Sequence, residues 1–479
     1  MHGHHGTAVE ADAHTDTRPW GPMVVALVAQ VLVVIDISVV NTAMPTIGQE
    51  LRLASSDLQW VVTAYLLLSG GFLLLGGRVA DLISRRTVFL TGLTVFTAAS
   101  LFTGFAGGAA ELIAGRAAQG AAAALMTPAA LSIISTAYTG KQRARGLALW
   151  GAIGGLGIAV GVALGGVLTT WTSWEAIFWI NVPIGVLAIA ATLHVVAKDH
   201  KGPASLAQFD VPGAVVGVGS LATLMFTLAR VESQGWTSLQ TAAGLGIAGA
   251  LMVAFVFLER HARQPLVHPH TWKISSLVSS TTVMLAITGL LMAVVFLTSI
   301  FGQTALGYSP LESGLAFLPL AATLVVGTHL AAHGSAHLPV RTIAAFGLTV
   351  VATGGVLLSR ADEASSYIGG LLPGLCLVGV GAGLVFAAVA GTAMNGIPAE
   401  HTGMASGFLM TGHEVGAALG VAVLSAIAGT AGNLAAASGV VEAYGRGSLA
   451  ITVAAVGFAV LAAVWMPRGK ADAGHMHMH

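Results

Sequence analysis

The chain has 479 residues, 55% of them hydrophobic and only 8% charged, with 20 Lys+Arg against 20 Asp+Glu. A soluble domain carries about 25% charged residues, so most of the surface this composition can cover faces lipid, and the balanced charge argues against a nucleic-acid partner. The single cysteine, Cys376, excludes an internal disulfide and any Cys-rich metal site.

A hydrocarbon core about 30 Å thick is crossed by about 20 apolar residues in a helix. By that measure the sequence predicts fourteen spans, at 22–46, 58–77, 86–106, 109–135, 146–169, 174–197, 210–230, 239–258, 277–302, 312–330, 341–359, 366–394, 404–430 and 447–466. The first 21 residues are polar and His-rich with no apolar run before Met23, so no cleavable signal peptide is expected. With the N-terminus inside, 15 basic residues flank the inner ends, Arg52, Arg230, Arg360 and Arg446 lie outside, and Arg116 remains in the membrane, which accounts for all 20. Both termini are therefore expected in the cytoplasm. The connectors are short, and none can hold an enzyme core. The longest inner one, 259–276, is basic and Pro-interrupted, compatible with an amphipathic stretch along the membrane surface. The outer segment 431–446 is rich in small residues.

The first span contains Asp36, within Val-Leu-Val-Val-Ile-Asp-Ile-Ser-Val-Val-Asn. A carboxylate at bilayer depth costs about 2.5–3.5 kcal/mol on insertion scales, so Asp36 is the first candidate for a proton-coupling group. Asn41, five residues on, suits a helix–helix hydrogen bond. Between spans two and three, Gly77-Arg78-Val79-Ala80-Asp81-Leu82-Ile83-Ser84-Arg85-Arg86 combines an acid with several bases. It can clamp two helix ends, or serve as ordinary positive-inside flanking. In span four, Arg116 and Gln119 are i,i+3 and share a face; Arg116 either meets a partner in the bundle or snorkels to the nearby interface. Span five carries Gly151, Gly154, Gly155, Gly157, Gly161, Gly165 and Gly166, a flat packing surface.

In span thirteen, His413 and Glu414 are adjacent. Neighbouring helical residues point about 100° apart, so one is expected to line a cavity while the other meets a neighbouring helix. Histidine as a residue type titrates near neutral pH, which makes His413 a candidate second proton site; the plain alternative is a neutral, hydrogen-bonded imidazole beside a paired or protonated Glu414. His329, His333 and His337 recur at i,i+4 near a helix end broken by Gly334 and Pro339, and read as surface histidines. The tails Met1-His2-Gly3-His4-His5 and His475-Met476-His477-Met478-His479 read as solvated, with soft-metal binding as the alternative.

Several of these segments carry a resemblance. Gly77-x-x-x-Asp81 with Arg85-Arg86 resembles the loop signature of the major facilitator superfamily, and Arg116-Ala117-Ala118-Gln119-Gly120 its fourth-helix R-x-x-Q-G motif. Gly161-Val162-Ala163-Leu164-Gly165-Gly166 resembles the G-P-x-x-G-G antiporter motif. Asp36 to Pro45 is similar to the D-x-T-x-V-N-x-A-L-P of the fourteen-helix drug:proton antiporters, and Trp174 to Gly185 to their W-R-W-I-F-x-I-N-x-P-I-G. The resemblance implies two six-helix bundles, 22–197 and 277–466, joined by a 198–276 linker with two inserted helices, and tails at 1–21 and 467–479. It implies gating at Gly77, Asp81, Arg85, Arg86, Gly161, Gly165 and Gly166, and a cavity between bundles near Arg116, Gln119 and Asn41. The departures are Leu82 for a basic residue, Ser84 for glycine, Val162 for the motif proline, Glu175 for arginine, and His413-Glu414 for Arg-Gln. Leu82 and Ser84 are expected to loosen the clamp, and Val162 weakens the inference of antiport.

The expectation is a monomeric, multi-pass transporter of a bacterial plasma membrane that exports a drug-like or antibiotic organic compound against protons. Asp36, Glu414 and His413 would carry the coupling. No P-loop pattern is present, and no cofactor, resident metal or nucleic acid is expected. Proton-linked uptake of a small metabolite, and transport of a metal or metal chelate through the His/Met tails, are the alternatives.

Overall fold

The computed structural model describes residues 19–53, 55–198, 210–262, 265, 274–335, 337–395, 397–398, 401–429 and 437–468. The elements are α1 (Gly21–Glu50), α2 (Ser55–Leu82), α3 (Arg85–Thr103), α4 (Ala109–Ala137), α5 (Gly140–Trp171), α6 (Ala176–Trp179), α7 (Asn181–Val195), α8 (Val211–Gln234) and α9 (Leu239–His261). There follow α10 (Ser275–Thr304), α11 (Pro310–Leu315), α12 (Leu318–Gly334), α13 (Val340–Leu358), a π-helical turn at Tyr367–Leu371 leading into α14 (Leu372–Ala393), α15 (Thr402–Gly429) and α16 (Ala437–Trp465).

Among the described residues, twelve helical segments are long and apolar enough to cross a membrane. Each of the fourteen predicted stretches lies on helix. The two outside the set of twelve are α5, whose side chains are described only in part, and α8, whose apolar run is the shorter Pro212–Leu228. Two stretches are broken near prolines. Pro319 sits in the first turn of α12 and separates it from α11, while Pro183 lies just inside α7, after the short α6. Proline fits a first turn because its missing N–H has no partner there in any case. The small-residue segment after α15, expected as an outer connector as far as Arg446, is helical from Ala437. Its first turns carry an exposed Arg446–Glu442 pair at 3.1 Å, an i,i+4 arrangement that favours helix. The expected surface stretch at 259–276 and both His-rich tails fall largely outside the described residues.

Packing follows two groups. In the first, α1 lies against α4, α5 and α7, and α4 against α2 and α3. In the second, α10 lies against α14, α15 and α16, while α14 packs on α12 and α13. The groups meet where α2 and α4 touch α15 and where α5 touches α12 and α14. The α8–α9 pair joins through α8, which lies against both α2 and α15. The Trp236 indole, just beyond α8, donates to the Ala422 carbonyl at 3.2 Å, and Phe226 meets Trp60 with ring centroids 5.5 Å apart. The start of α1 has no side-chain cap of its own. The Tyr138 hydroxyl at the end of α4 serves instead, accepting from Met23 N at 3.0 Å and donating to Pro19 O at 2.7 Å.

Candidate functional site

Asp36 lies midway along α1 and is 1% exposed. Its Oδ2 pairs with Nη1 of Arg116 on α4. Its Oδ1 accepts from Gln119 Nε2 at 3.0 Å and from Asn181 Nδ2 at 3.1 Å. The i,i+3 spacing of Arg116 and Gln119 places both on the same face, and Arg116 Nη1 also donates to Gln119 Oε1 at 3.0 Å. The other Gln119 N–H reaches Ser100 Oγ on α3 at 2.8 Å, and that hydroxyl donates to Phe96 O at 2.8 Å. Arg116 Nε donates to Val61 O at 3.4 Å, and the guanidinium carbon stands 4.2 Å from the centre of the Tyr65 ring on α2. Asn181 is the first residue of α7, and its side chain is buried.

Four helices and the α6–α7 junction therefore converge on one carboxylate. Arg116 is an interior partner, not a snorkelling surface residue. Desolvating a carboxylate and a guanidinium is tolerable only when they are paired and further hydrogen-bonded, and here the pair is backed by Gln119, Asn181 and the Val61 carbonyl. The pair is neutral as a unit. Adding a proton to Asp36 leaves the Arg116 charge uncompensated, so protonation does not simply remove buried charge; it moves the unmet charge to the guanidinium. Asn41 also lies on α1, but its side chain is outside the described set, and its place near the cavity remains an expectation.

A second constellation lies at the far end of α2. Asp81 Oδ1 accepts from Gly403 N at 2.8 Å and Oδ2 from Met404 N at 2.7 Å. The carboxylate thus caps the start of α15, where unpaired amides and the helix dipole favour a negative charge. Gly77 faces the same turn, and a Cβ there would overlap the Gly403 carbonyl oxygen. Arg85 stands 3.9 Å from Asp81. Arg86 is directed elsewhere, donating to Leu193 O of α7 at 2.7 Å, so it braces its own helix group. Ser84, expected to loosen this region, caps α3 by accepting from Thr87 N at 3.3 Å.

On α5, Gly161 lies against α1, where a Cβ would come within 2.5 Å of the Ser38 Cβ. The glycine surface therefore seats α5 two residues beyond Asp36. Gly165 is buried on the same helix, and Gly166 is outside the residues described at side-chain level. His413 and Glu414 do not part company as their helical positions suggested. The side chains bend together, with His413 Nδ1 3.5 Å from Glu414 Oε1, both part-exposed, and the Phe386 ring of α14 lies 6.4 Å from the imidazole. Rotatable side chains have closed the angle that the backbone opens. Among the described residues, no three His, Cys, Asp or Glu side chains converge as a metal site would require. His329 and His333 turn their Nδ1 atoms to the carbonyls of Val325 and His329, at 2.9 Å in each case.

The sequence model of the Major Facilitator Superfamily matches residues 26–421. The chain belongs to that superfamily. A cephamycin export protein of Amycolatopsis lactamdurans is 36% identical over 447 residues, covering 92% of this chain and 91% of the relative. A puromycin resistance protein of Streptomyces alboniger is 36% identical over 420 residues, 86% of this chain and 82% of the relative. A tetracenomycin C resistance and export protein of Streptomyces glaucescens is 30% identical over 417 residues, covering 86% and 76%. The crystal structure of the human organic anion transporter MFSD10 matches with a TM-score of 0.64 over 92% of this chain and 100% of that one, at 15% identity, a likeness of fold.

As a major facilitator the chain is a multi-pass membrane transporter and not an enzyme. Asn181, Ser100 and Tyr65 complete its buried cluster without having been singled out as site residues. Asn181 stood in a quoted motif, and an amide in an apolar run was the available signal. Ser100 and Tyr65 gave no signal beyond polarity in a span.

Proposed function

We propose that this major facilitator exports an amphiphilic organic compound, an antibiotic or a similar drug-like molecule, in exchange for protons. The observation that supports it is the Asp36–Arg116 pair, ionisable, fully buried and held by Gln119 and Asn181. A charge kept at such depth needs a role to offset its cost. The antibiotic export and resistance proteins similar to it favour the outward direction and the substrate class.

In the proposed cycle Asp36 takes up a proton from outside, the pair separates, and the stranded guanidinium favours a rearrangement that brings it new partners. Release of the proton inside restores the pair. Each charge moved down 100 mV supplies about 2.3 kcal/mol. The Asp81 cap on α15 is the inner latch, closed in this structure, and Gly77 allows the helices to meet there. The Gly161 contact lets α1 and α5 shift against each other close to Asp36. We read α5 and α8 as the two further crossings, giving fourteen in all: six-helix bundles at 22–197 and 277–466, with α8 and α9 inserted between them. Both termini are cytoplasmic, the membrane is a bacterial plasma membrane, and the monomer is the working unit. His413 and Glu414 form a second candidate proton-binding pair on α15.

The test is transport in reconstituted vesicles with an imposed pH gradient, using puromycin, a cephamycin, tetracenomycin C and lincomycin as the panel. Gradient-dependent movement of at least one of them, lost in Asp36→Asn, is the expected result. Transport indifferent to the gradient, or to that substitution, would overturn the assignment.

A further inference from the structure

Tyr65 stands out in the buried cluster because, among the described residues, its buried hydroxyl has no hydrogen-bond partner. The residue is 0% exposed and its Oη makes no hydrogen bond, whereas Asp36, Arg116, Gln119, Asn181 and Ser100 are all engaged. An unmet buried hydroxyl costs about 1–3 kcal/mol, and such an atom in an otherwise satisfied network calls for an explanation. Phenylalanine would supply the same ring to Arg116 without that cost.

The α2–α15 register shows what the hydroxyl can meet. The two helices run antiparallel, since Gly77 lies against Gly403 and the Leu73 carbonyl against Gly407. Tyr65 is eight residues before Leu73, and Val415 eight after Gly407. At 1.5 Å per residue both stand about 12 Å from that contact, which sets Glu414 level with Tyr65. The ionisable groups around this level of α2 are Asp36 and Arg116 within the cluster and, by the register, Glu414 on α15 with His413 beside it.

We propose that Tyr65 is a positioning residue linking the two candidate proton sites: its ring holds Arg116 against Asp36, and its hydroxyl is the hydrogen-bond partner of the Glu414 carboxyl in the state reached when Asp36 takes up a proton. This rests on the coupling role of Asp36 proposed above. The link runs along the seam where the helix groups meet, so loss of the ion pair on α1 and α4 is felt on α15.

The experiment uses the full chain in lipid vesicles and follows carboxyl stretching bands by infrared spectroscopy as pH is varied. The band lost in Glu414→Gln is assigned to Glu414, and that lost in Asp36→Asn to Asp36. Tyr65→Phe keeps the ring and is expected to move the Glu414 band in frequency and in the pH at which it appears, leaving the Asp36 band in place. Tyr65→Leu, which removes the ring, is expected to disturb both. In gradient-driven transport of puromycin, Tyr65→Phe is expected to lower the maximal rate about tenfold, the size of one hydrogen bond, with no further loss when Glu414→Gln is added. A Glu414 band unmoved by Tyr65→Phe, or losses that multiply in the double variant, would overturn the link. Retained transport in Asp36→Asn would instead remove the coupling role, while the spectra still decided whether Tyr65 and Glu414 are joined.

Discussion

Asn181 donates to the same Oδ1 of Asp36 that receives Gln119, at 3.1 and 3.0 Å, from a helix that begins 145 residues further along the chain. That shared oxygen ties α7 to α1 and α4. Replacing Asn181 with Ala removes one donor to a charged acceptor, worth about 1.5–3 kcal/mol. Gradient-driven transport should fall severalfold while the protein continues to fold. Transport at the wild-type rate would reduce Asn181 to a packing role.

Asp36→Asn should do two separable things. Gradient-driven transport should fall to the level of protein-free vesicles, and thermal stability should fall as well, because Arg116 is left charged and buried, at a cost of about 3–5 kcal/mol. Adding Arg116→Gln should restore the unfolding midpoint and leave transport absent. Stability that stays low in the double variant would mean the pair is not what holds the cluster.

The latch on α15 is testable through the single native cysteine. In a Cys376→Ser background, reporter cysteines on Ile83 and His401 follow the separation of α2 from α15. Asp81→Ala removes both acceptors for the Gly403 and Met404 amides, a loss of about 0.5–2 kcal/mol for a helix cap, and should slow cross-linking of the pair severalfold. Gly77→Leu should do the same by steric overlap with the Gly403 carbonyl. Cross-linking at the wild-type rate in both would exclude a latch here.

Deleting residues 1–18 and 469–479 should leave export of the organic panel unchanged. Loss of transport on truncation, restored by added metal, would favour the metal-chelate alternative.

Much of the helix content was legible because lipid imposes one rule on every crossing: enough apolar residues in a row, with backbone groups satisfied inside the helix. The site was legible in part. Asp36, Arg116 and Gln119 announced themselves through the expense of polarity at depth, and they do meet. Their fourth partner, Asn181, comes from a helix 145 residues beyond Asp36, a pairing that composition does not encode. Arg86 lies in the same motif as Arg85 yet turns to Leu193, because one residue along a helix changes direction by about 100°. At His413 and Glu414 the same angle points the backbone positions apart, yet flexible side chains bring them within 3.5 Å of each other. The early start of α16 was missed because its first turns are too polar and glycine-rich to register as a span, although an ion pair supports them as helix.

The Asp81 carboxylate binds main chain on its partner helix, the N–H groups of residues 403 and 404. Recognition built on main chain leaves residue 404 free to vary, while 403 is held to glycine because a Cβ there would overlap the Gly77 carbonyl oxygen. Side chains further along α15 can therefore drift to suit new cargo while the proposed bolt still finds its keeper, and neither keeper position accepts an imino acid, which has no hydrogen to offer.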